Sequence, residues 1–269
     1  MIRGYLRHPG SLLLRLLCVL SAVITGGVLL LVAGYVLCKG IPYLKPSMFA
    51  PVYNSENVSM LPALFNTIWM TLLSLAIAAP LGVGGAVYLV EYAPRKSRLV
   101  QLVRVTAETL SGIPSILYGL FGMIFFVTTL RWSYSLLSGA LKQAIMVLPL
   151  ILRTTEEALL AVPDSYREGS LALGAGKLRT VMKVVLPPAS GGIFAGIILA
   201  TGRIVGETAA LIYTAGTVAQ FAVNPMSSGS TLAVHVYVLS GEGLHVGEAY
   251  ATAVILMLIV FLMNALSSW

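Results

Sequence analysis

Long apolar runs alternate with short polar gaps along the chain. The first run, Leu16 to Leu37, carries no charge and is bracketed by Arg15 and Lys39. A second covers Ala63 to Val90, a third roughly Val105 to Leu130, and a fourth Tyr134 to Leu152, the weakest because Lys142 interrupts it. The fifth, about Gly191 to Thr214, contains Arg203 and Glu207, and the sixth is Ala249 to Leu266. A hydrocarbon core is crossed by about 20 apolar residues in helical form. The pattern therefore predicts an all-α membrane protein with six spanning helices. Arg3, Arg7 and Arg15 precede the first run as they would in a signal peptide. That run is too long for a signal core and lacks a small-x-small cleavage site, so it reads as an uncleaved anchor helix.

Composition agrees. The 269 residues are 58% hydrophobic and 10% charged, against about 25% charged in a soluble domain. The net charge of +7 could suggest nucleic acid, but the basic residues sit in the gaps between apolar runs and form no stripe. Twelve of them fall in three gaps on one side: Arg3, Arg7 and Arg15; Arg95, Lys96, Arg98 and Arg104; and Arg153, Arg167, Lys177, Arg179 and Lys183. The other side has Lys39, Lys45 and Arg131, and the stretch from Ala215 to Glu248 has none. Basic loops stay cytoplasmic, so both termini are expected there. The expected layout is a cytoplasmic segment 1–15, a single membrane domain over 16–266, and a cytoplasmic tail 267–269.

Metal and disulfide chemistry find no support in the spacing. Cys18 and Cys38 would lie about 30 Å apart on one helix, too far to bridge. His8, His235 and His245 are isolated. Gly192-x-x-x-Gly196 and Gly202-x-x-x-Gly206 place small residues four apart on the fifth helix, which favours close helix packing in lipid.

The segment from Arg153 to Pro188 is polar yet helical in period. Thr154 to Leu160 extends the fourth helix, and Pro163-Asp164 breaks it. Asp164 or Ser165 can cap a helix Tyr166 to Leu173, with Gly174 as its carboxyl cap. A second helix, Lys177 to Val185, is expected to stop at Pro187-Pro188. The result is a helical elbow below the bilayer.

Within it, Glu168-Gly169-Ser170-x-x-x-Gly174-x9-Val184-x-Leu186-Pro187 resembles the EAA loop of permease subunits in type I ABC importers, the MetI-like bundle. Glutamate, glycine and Leu-Pro match in register, while Gly169, Ser170 and Val184 depart from Ala, Ala and Ile. Ser111 to Gly122, Arg153 to Leu159 and Arg203 to Leu211 are similar to the phosphate-specific branch, in particular PstA-type permeases. The resemblance covers most of residues 60 to 265. It implies that Tyr166, Arg167, Glu168, Gly169, Ser170, Leu171, Ala172, Leu173 and Gly174 couple to an ATPase, and that Arg203, Glu207 and Thr208 line a substrate pathway. It also implies partners: a second permease (PstC type), a dimer of ATP-binding subunits (PstB type) holding ATP and Mg, and a periplasmic or lipid-anchored binding protein (PstS type). The outer loops, Met48 to Met60 and Ala215 to Glu248, would meet that binding protein. A bacterial inner-membrane location follows from the same likeness.

Gly174-Ala175-Gly176-Lys177 imitates a P-loop, but Leu171 and Leu178 occupy its required Gly and Ser/Thr positions. No cofactor is expected in this chain, and no catalytic role.

The buried charges admit two readings. Arg203 lies about 15 Å into the fifth helix, near the midplane, where arginine costs at least about 2.5 kcal/mol. Glu207, four residues on, can pair with it, or Arg203 can offer its planar fork to an anion. Lys142 reads as snorkelling to the outer surface rather than facing a cavity. Glu108 is expected to be held by Arg104, and Glu91 and Tyr92 to anchor the interface. Competing readings are another oxyanion importer (sulfate, molybdate or phosphonate), an ATP-independent carrier, and an intramembrane enzyme. A carrier would show internal repeats and broken half-helices, which the sequence does not display, and no Ser-Lys, paired-Asp or His-Glu-x-x-His set supports an enzyme.

Overall fold

The structure, a computed structural model, describes residues 9–94 and 97–267. Arg3, Arg7, His8, Arg95 and Lys96 lie outside the described residues. Among those described the chain is helical throughout, with no strand.

Helix α1 (Pro9–Gly40) is apolar and exposed on nearly every face, as a lipid-bathed helix is. It meets the last helix, α11 (Val246–Ser267), through Tyr35 on Tyr250, ring centroids 5.9 Å apart. Helix α2 (Leu61–Val87) runs on into a π-helical turn, Tyr88–Tyr92. The first, second and sixth apolar runs thus form helices close to where the sequence puts them.

The fourth run, weakest in hydropathy, forms the axis of the bundle. Helix α5 (Leu136–Leu160) packs against α2, and 67% of its most apolar stretch is buried, compared with 28% for α2. A helix screened from lipid by its neighbours can carry polar side chains, and Ser138, Lys142, Gln143, Thr155 and Glu156 all face inward. Lys142 is 1% exposed, so it does not snorkel to the surface.

The third run is not one helix. It divides into α3 (Arg98–Ser111) and α4 (Ser115–Gly122), which continues as a π-helical stretch Met123–Thr129. The two parts bend by 99°. Pro114 causes the break, because the residue before a proline is pushed out of the helical region. Helix α3 is amphipathic, with Leu99, Leu102 and Val105 exposed on one side. The Tyr118 hydroxyl donates to the Leu110 carbonyl at 2.7 Å across the bend.

The elbow is α6 (Asp164–Ala172) followed by α7 (Lys177–Thr180). Pro187-Pro188 does not stop the second arm. A π-helical turn, Val181–Val185, passes directly into α8 (Leu186–Val205), whose first turn holds both prolines. Amides in a first turn have no helical partner, so prolines cost little there. The fifth helix therefore ends at Val205, well short of Thr214, and a short α9 (Ala209–Ile212) follows. Breaks at Pro114 and Gly206 mean that broken helices do occur in this chain, contrary to the sequence reading.

One of the two glycine pairs makes the expected close approach. A Cβ on Gly192 would lie 2.7 Å from that of Ala158, and one on Gly196 would collide with Thr154, both on α5. Gly202 faces open space and Gly206 meets only its own helix.

At the end of the bundle opposite the elbow, residues 41–60 pack down against α10 (Leu232–Glu242) and α11. Met48 and Met60 are buried in a cluster with Leu232 and Ala251. His235 of α10 is 3% exposed, with its ring edge-on to Tyr53 at 6.0 Å and Nε2 unpartnered. Burial lowers its pKa from 6.5 to about 4, against a smaller opposing effect of the Val58 carbonyl.

Two outcomes follow. Gly196→Ala should destabilise the detergent-solubilised protein by about 1–3 kcal/mol through overpacking, while Gly202→Ala should not; thermal melting of the two variants compares them. Because the folded His235 resists protonation, its contribution is intact above 6.5 and is lost as pH falls toward 4. The loss is at most on the order of 3 kcal/mol. His235→Leu should flatten the decline in melting temperature between about pH 7 and about pH 5.

Candidate functional site

The end of α8 fixes the site. Gly192 faces Ala158, Gly196 faces Thr154, and the Gln143 Nε2 donates to the Ile204 carbonyl at 3.3 Å. Helices α5 and α8 are therefore antiparallel, and Arg203, which falls in the last turn of α8 rather than about ten residues into its helix, stands level with the middle of α5. Irregular backbone at that depth is tolerated only when it is buried in protein or lines a cavity. Both conditions hold here: the Ile204 carbonyl accepts from the Glu207 amide at 3.2 Å as well as from Gln143, and Arg203 borders a cavity.

Arg203 and Glu207 do not form the ion pair that their spacing allows. Helix α8 ends before Gly206, so the geometry that brings residues four apart together is lost. Glu207 turns instead to α9, where its Oε1 accepts from the Ala210 amide at 3.2 Å. Thr208 leads into α9, and its hydroxyl lies 3.4 Å from the Gly206 carbonyl. Among the described residues Arg203 makes no ion pair or hydrogen bond.

Lys142 joins this group from α5. Its Nζ donates to Gln143 Oε1 at 3.3 Å and lies 4.0 Å from the Met146 sulfur. Glu207 and Arg203 are the charged groups whose fields reach it. Two cations and one carboxylate thus lie near the α8 break. The signal for Lys142 was present in the sequence. Ser135, Ser138 and Lys142 fall at helical spacing, a polar stripe that marks the inward face.

From Arg203 a cavity of about 650 Å³ extends between α3 and α5 toward the elbow end. Arg104, Glu108, Arg153, Glu156 and Glu157 also line it. Arg104 pairs with Glu156 of α5, not with Glu108 as expected, because the bend at Pro114 lays α3 against α5 and Glu156 is the more buried partner. Arg153 pairs with Glu157 at 3.1 Å. Arg203 is therefore the unpaired arginine of the three that line the cavity.

The elbow presents a second surface. Tyr166, Glu168, Gly169, Leu171, Ala172, Leu173 and Gly174 are exposed, Leu173 at 90%. Leu171 and Tyr166 are also more than half exposed there, at 51% and 53%. Arg167 points the other way, into the bundle, with its side chain 14% exposed. Ser170 is half-buried, its hydroxyl 2.9 Å from that of Thr180. Asp164 is the first helical residue of α6 and lies 3.3 Å from Arg167, while Pro163 holds the cap position assigned to Asp164 or Ser165.

The carboxyl cap is as expected. Gly174 has φ +82°, its amide donates to Leu171 at 3.0 Å, and the Ala175 amide donates to Ser170 at 3.1 Å. Those two bonds are a Schellman motif. They occupy the amides of Gly174 and Ala175. Among the described residues no group of three His, Cys, Asp or Glu could hold a metal.

The bundle thus combines an inner cavity, a helix that ends inside it at Val205 and a bare helical elbow. Residues 78–269 match the family described as "Binding-protein-dependent transport system inner membrane component". The chain belongs to that family: it is a multi-pass permease subunit of an ABC transporter. It is 34% identical over 270 residues to the "Probable ABC transporter permease protein YqgI" of Bacillus subtilis, covering 93% of this chain and 91% of that one. It is 34% identical over 217 residues to the phosphate transport system permease protein PstA of Haemophilus influenzae, covering 80% of this chain and 76% of that one. A permease chain of a bacterial alginate ABC transporter, solved with an alginate-bound periplasmic protein, superposes with a TM-score of 0.71 at 13% identity, over 98% of this chain and 96% of that one. That likeness concerns the fold alone.

Proposed function

We propose that the chain is the PstA-type permease of an ATP-driven importer of inorganic phosphate. The supporting observation is Arg203 at the α8 break: it borders the inner cavity and makes no ion pair among the described residues, while Arg104 and Arg153 on the same cavity are paired. A guanidinium matches two phosphate oxygens at once. Glu207 moderates that attraction, so that an anion entering the site can also leave it. The similarity to the Haemophilus influenzae phosphate permease points to the same substrate.

In this reading α6 is the coupling helix. Tyr166, Glu168 and Leu173 seat in a groove of a PstB-type ATPase subunit, and ATP and Mg are bound there, not in this chain. A PstC-type permease faces this one and completes the pathway, because one bundle alone cannot enclose a pore. A PstS-type binding protein docks on the side of residues 41–60 and α10. Both termini, with segments 1–15 and 267–269, lie in the cytoplasm of a bacterial cell and the bundle in its inner membrane. Sulfate, molybdate or phosphonate are the alternative cargoes, and uptake competition separates them.

Arg203→Ala should abolish phosphate uptake by the assembled complex while the ATPase subunit still co-purifies. Lys142→Met should weaken uptake without abolishing it. Radiolabelled phosphate uptake into vesicles measures both. Normal uptake by an assembled Arg203→Ala complex would refute the assignment.

A further inference from the structure

Both arms of the elbow grip the same turn of the bundle. That turn is the π-helical end of α2, Tyr88–Tyr92. From α6, Arg167 donates to Glu91 Oε1 through Nε at 2.9 Å and Nη2 at 2.8 Å. The same guanidinium donates to the carbonyls of Leu159 at 2.8 Å and Val162 at 2.7 Å, and reaches Asp164 at 3.3 Å. From α7, the Lys177 ammonium lies 5.2 Å above the Tyr92 ring, within cation–π range.

The chemistry is that of an internal joint. The side chains of Arg167 and Glu91 are 14% and 7% exposed, so neither is spent on a partner protein. A buried pair is strong only when its remaining hydrogen-bonding capacity is filled, and here the Leu159 carbonyl in the last turn of α5 and the Val162 carbonyl just beyond it fill it. The Leu159 carbonyl lies at the negative end of the α5 dipole, which favours a cation. Arg167 thus ties three elements together: α6, the last turn of α2, and the end of α5. Helix α5 carries Lys142 and packs on α8, which carries Arg203.

We infer that Glu91 is a positioning residue for energy coupling: through Arg167 it makes α2 and α5 follow any displacement of α6. Movement imposed on the elbow then reaches the α8 break through α5. Without Glu91, the Arg167 charge keeps only the exposed carboxylate of Asp164, on its own helix; the tie to α2 is gone and the joint slips, while the outward face of α6 remains intact. This inference rests on α6 being the ATPase-docking helix.

The test uses the whole complex in nanodiscs, with Cys18→Ser and Cys38→Ser. Spin labels are placed on exposed sites of α6 (Ser165→Cys) and α2 (Leu81→Cys). In the wild-type background, ATP should move α6 relative to the ATPase-distal end of the bundle, but the 165–81 distance should not change. In Glu91→Ala that distance should shift on adding ATP. In parallel, phosphate carried per ATP hydrolysed should fall about tenfold, a coupling loss of ordinary size, with the ATPase subunit still co-purifying. Glu91→Asp, which keeps the charge, should recover most of the ratio. An unchanged distance and ratio in Glu91→Ala, or loss of the ATPase subunit from that variant, would overturn the inference. An α6 that does not respond to ATP in the wild-type background would overturn the docking assignment along with it. A wild-type complex that carries no phosphate would count against the cargo alone, because the distance measurement needs none.

Discussion

Helix α8 stops in the middle of the bundle, and the rest of the interior is arranged around that stop. A helix end exposes carbonyls that lipid cannot satisfy, and an arginine beside it needs polar company. The close seam between α5 and α8 sets Gln143 against that end, and Arg203 borders the inner cavity instead. Gly192 and Gly196 let α8 lie directly on Ala158 and Thr154. That contact brings Gln143 onto the Ile204 carbonyl, with Lys142 hydrogen-bonded to the same Gln143. Loosen the seam and the break loses its partner. Small residues at the packing face are therefore a condition for the charged site, not a separate feature.

The opposite end of α5 gives the same helix a second duty. Its terminal carbonyls hold Arg167, which also holds Glu91 on α2. One helix therefore touches the elbow at its end and the charge cluster at its middle. A stiff helix between a lever and a binding site is a plain way to connect them. Nothing in the geometry requires a longer chain of intermediates.

Much of this was legible in the sequence. Hydropathy located the spans because lipid imposes a length on each, and Gly174 announced the elbow's cap because only glycine adopts φ +82° at little cost. What it could not give was the behaviour of residues whose role depends on tertiary neighbours. Lys142 looked like a defect in a weak span, yet α5 is the best-screened helix of the bundle. Glu207 stood at the right spacing for Arg203, but the spacing means nothing once the helix ends at Val205. Pro187-Pro188 signalled a stop and fell instead in a first turn, where proline is tolerated. Pro114 was a true break inside a run that read as continuous, because hydropathy averages over a kink. Arg104 found Glu156 through that kink, which no count along the chain reveals.

The central claim is that the α8 break is a water-reached site of positive potential. It is tested most directly by thiol chemistry at Thr208→Cys, in an assembled complex carrying Cys18→Ser and Cys38→Ser. Anionic and cationic methanethiosulfonate reagents of similar size are compared for their rates of modification. The account predicts faster reaction with the anionic reagent, and slowing of that reaction by inorganic phosphate. Equal or faster reaction with the cationic reagent, or indifference to phosphate, would contradict it.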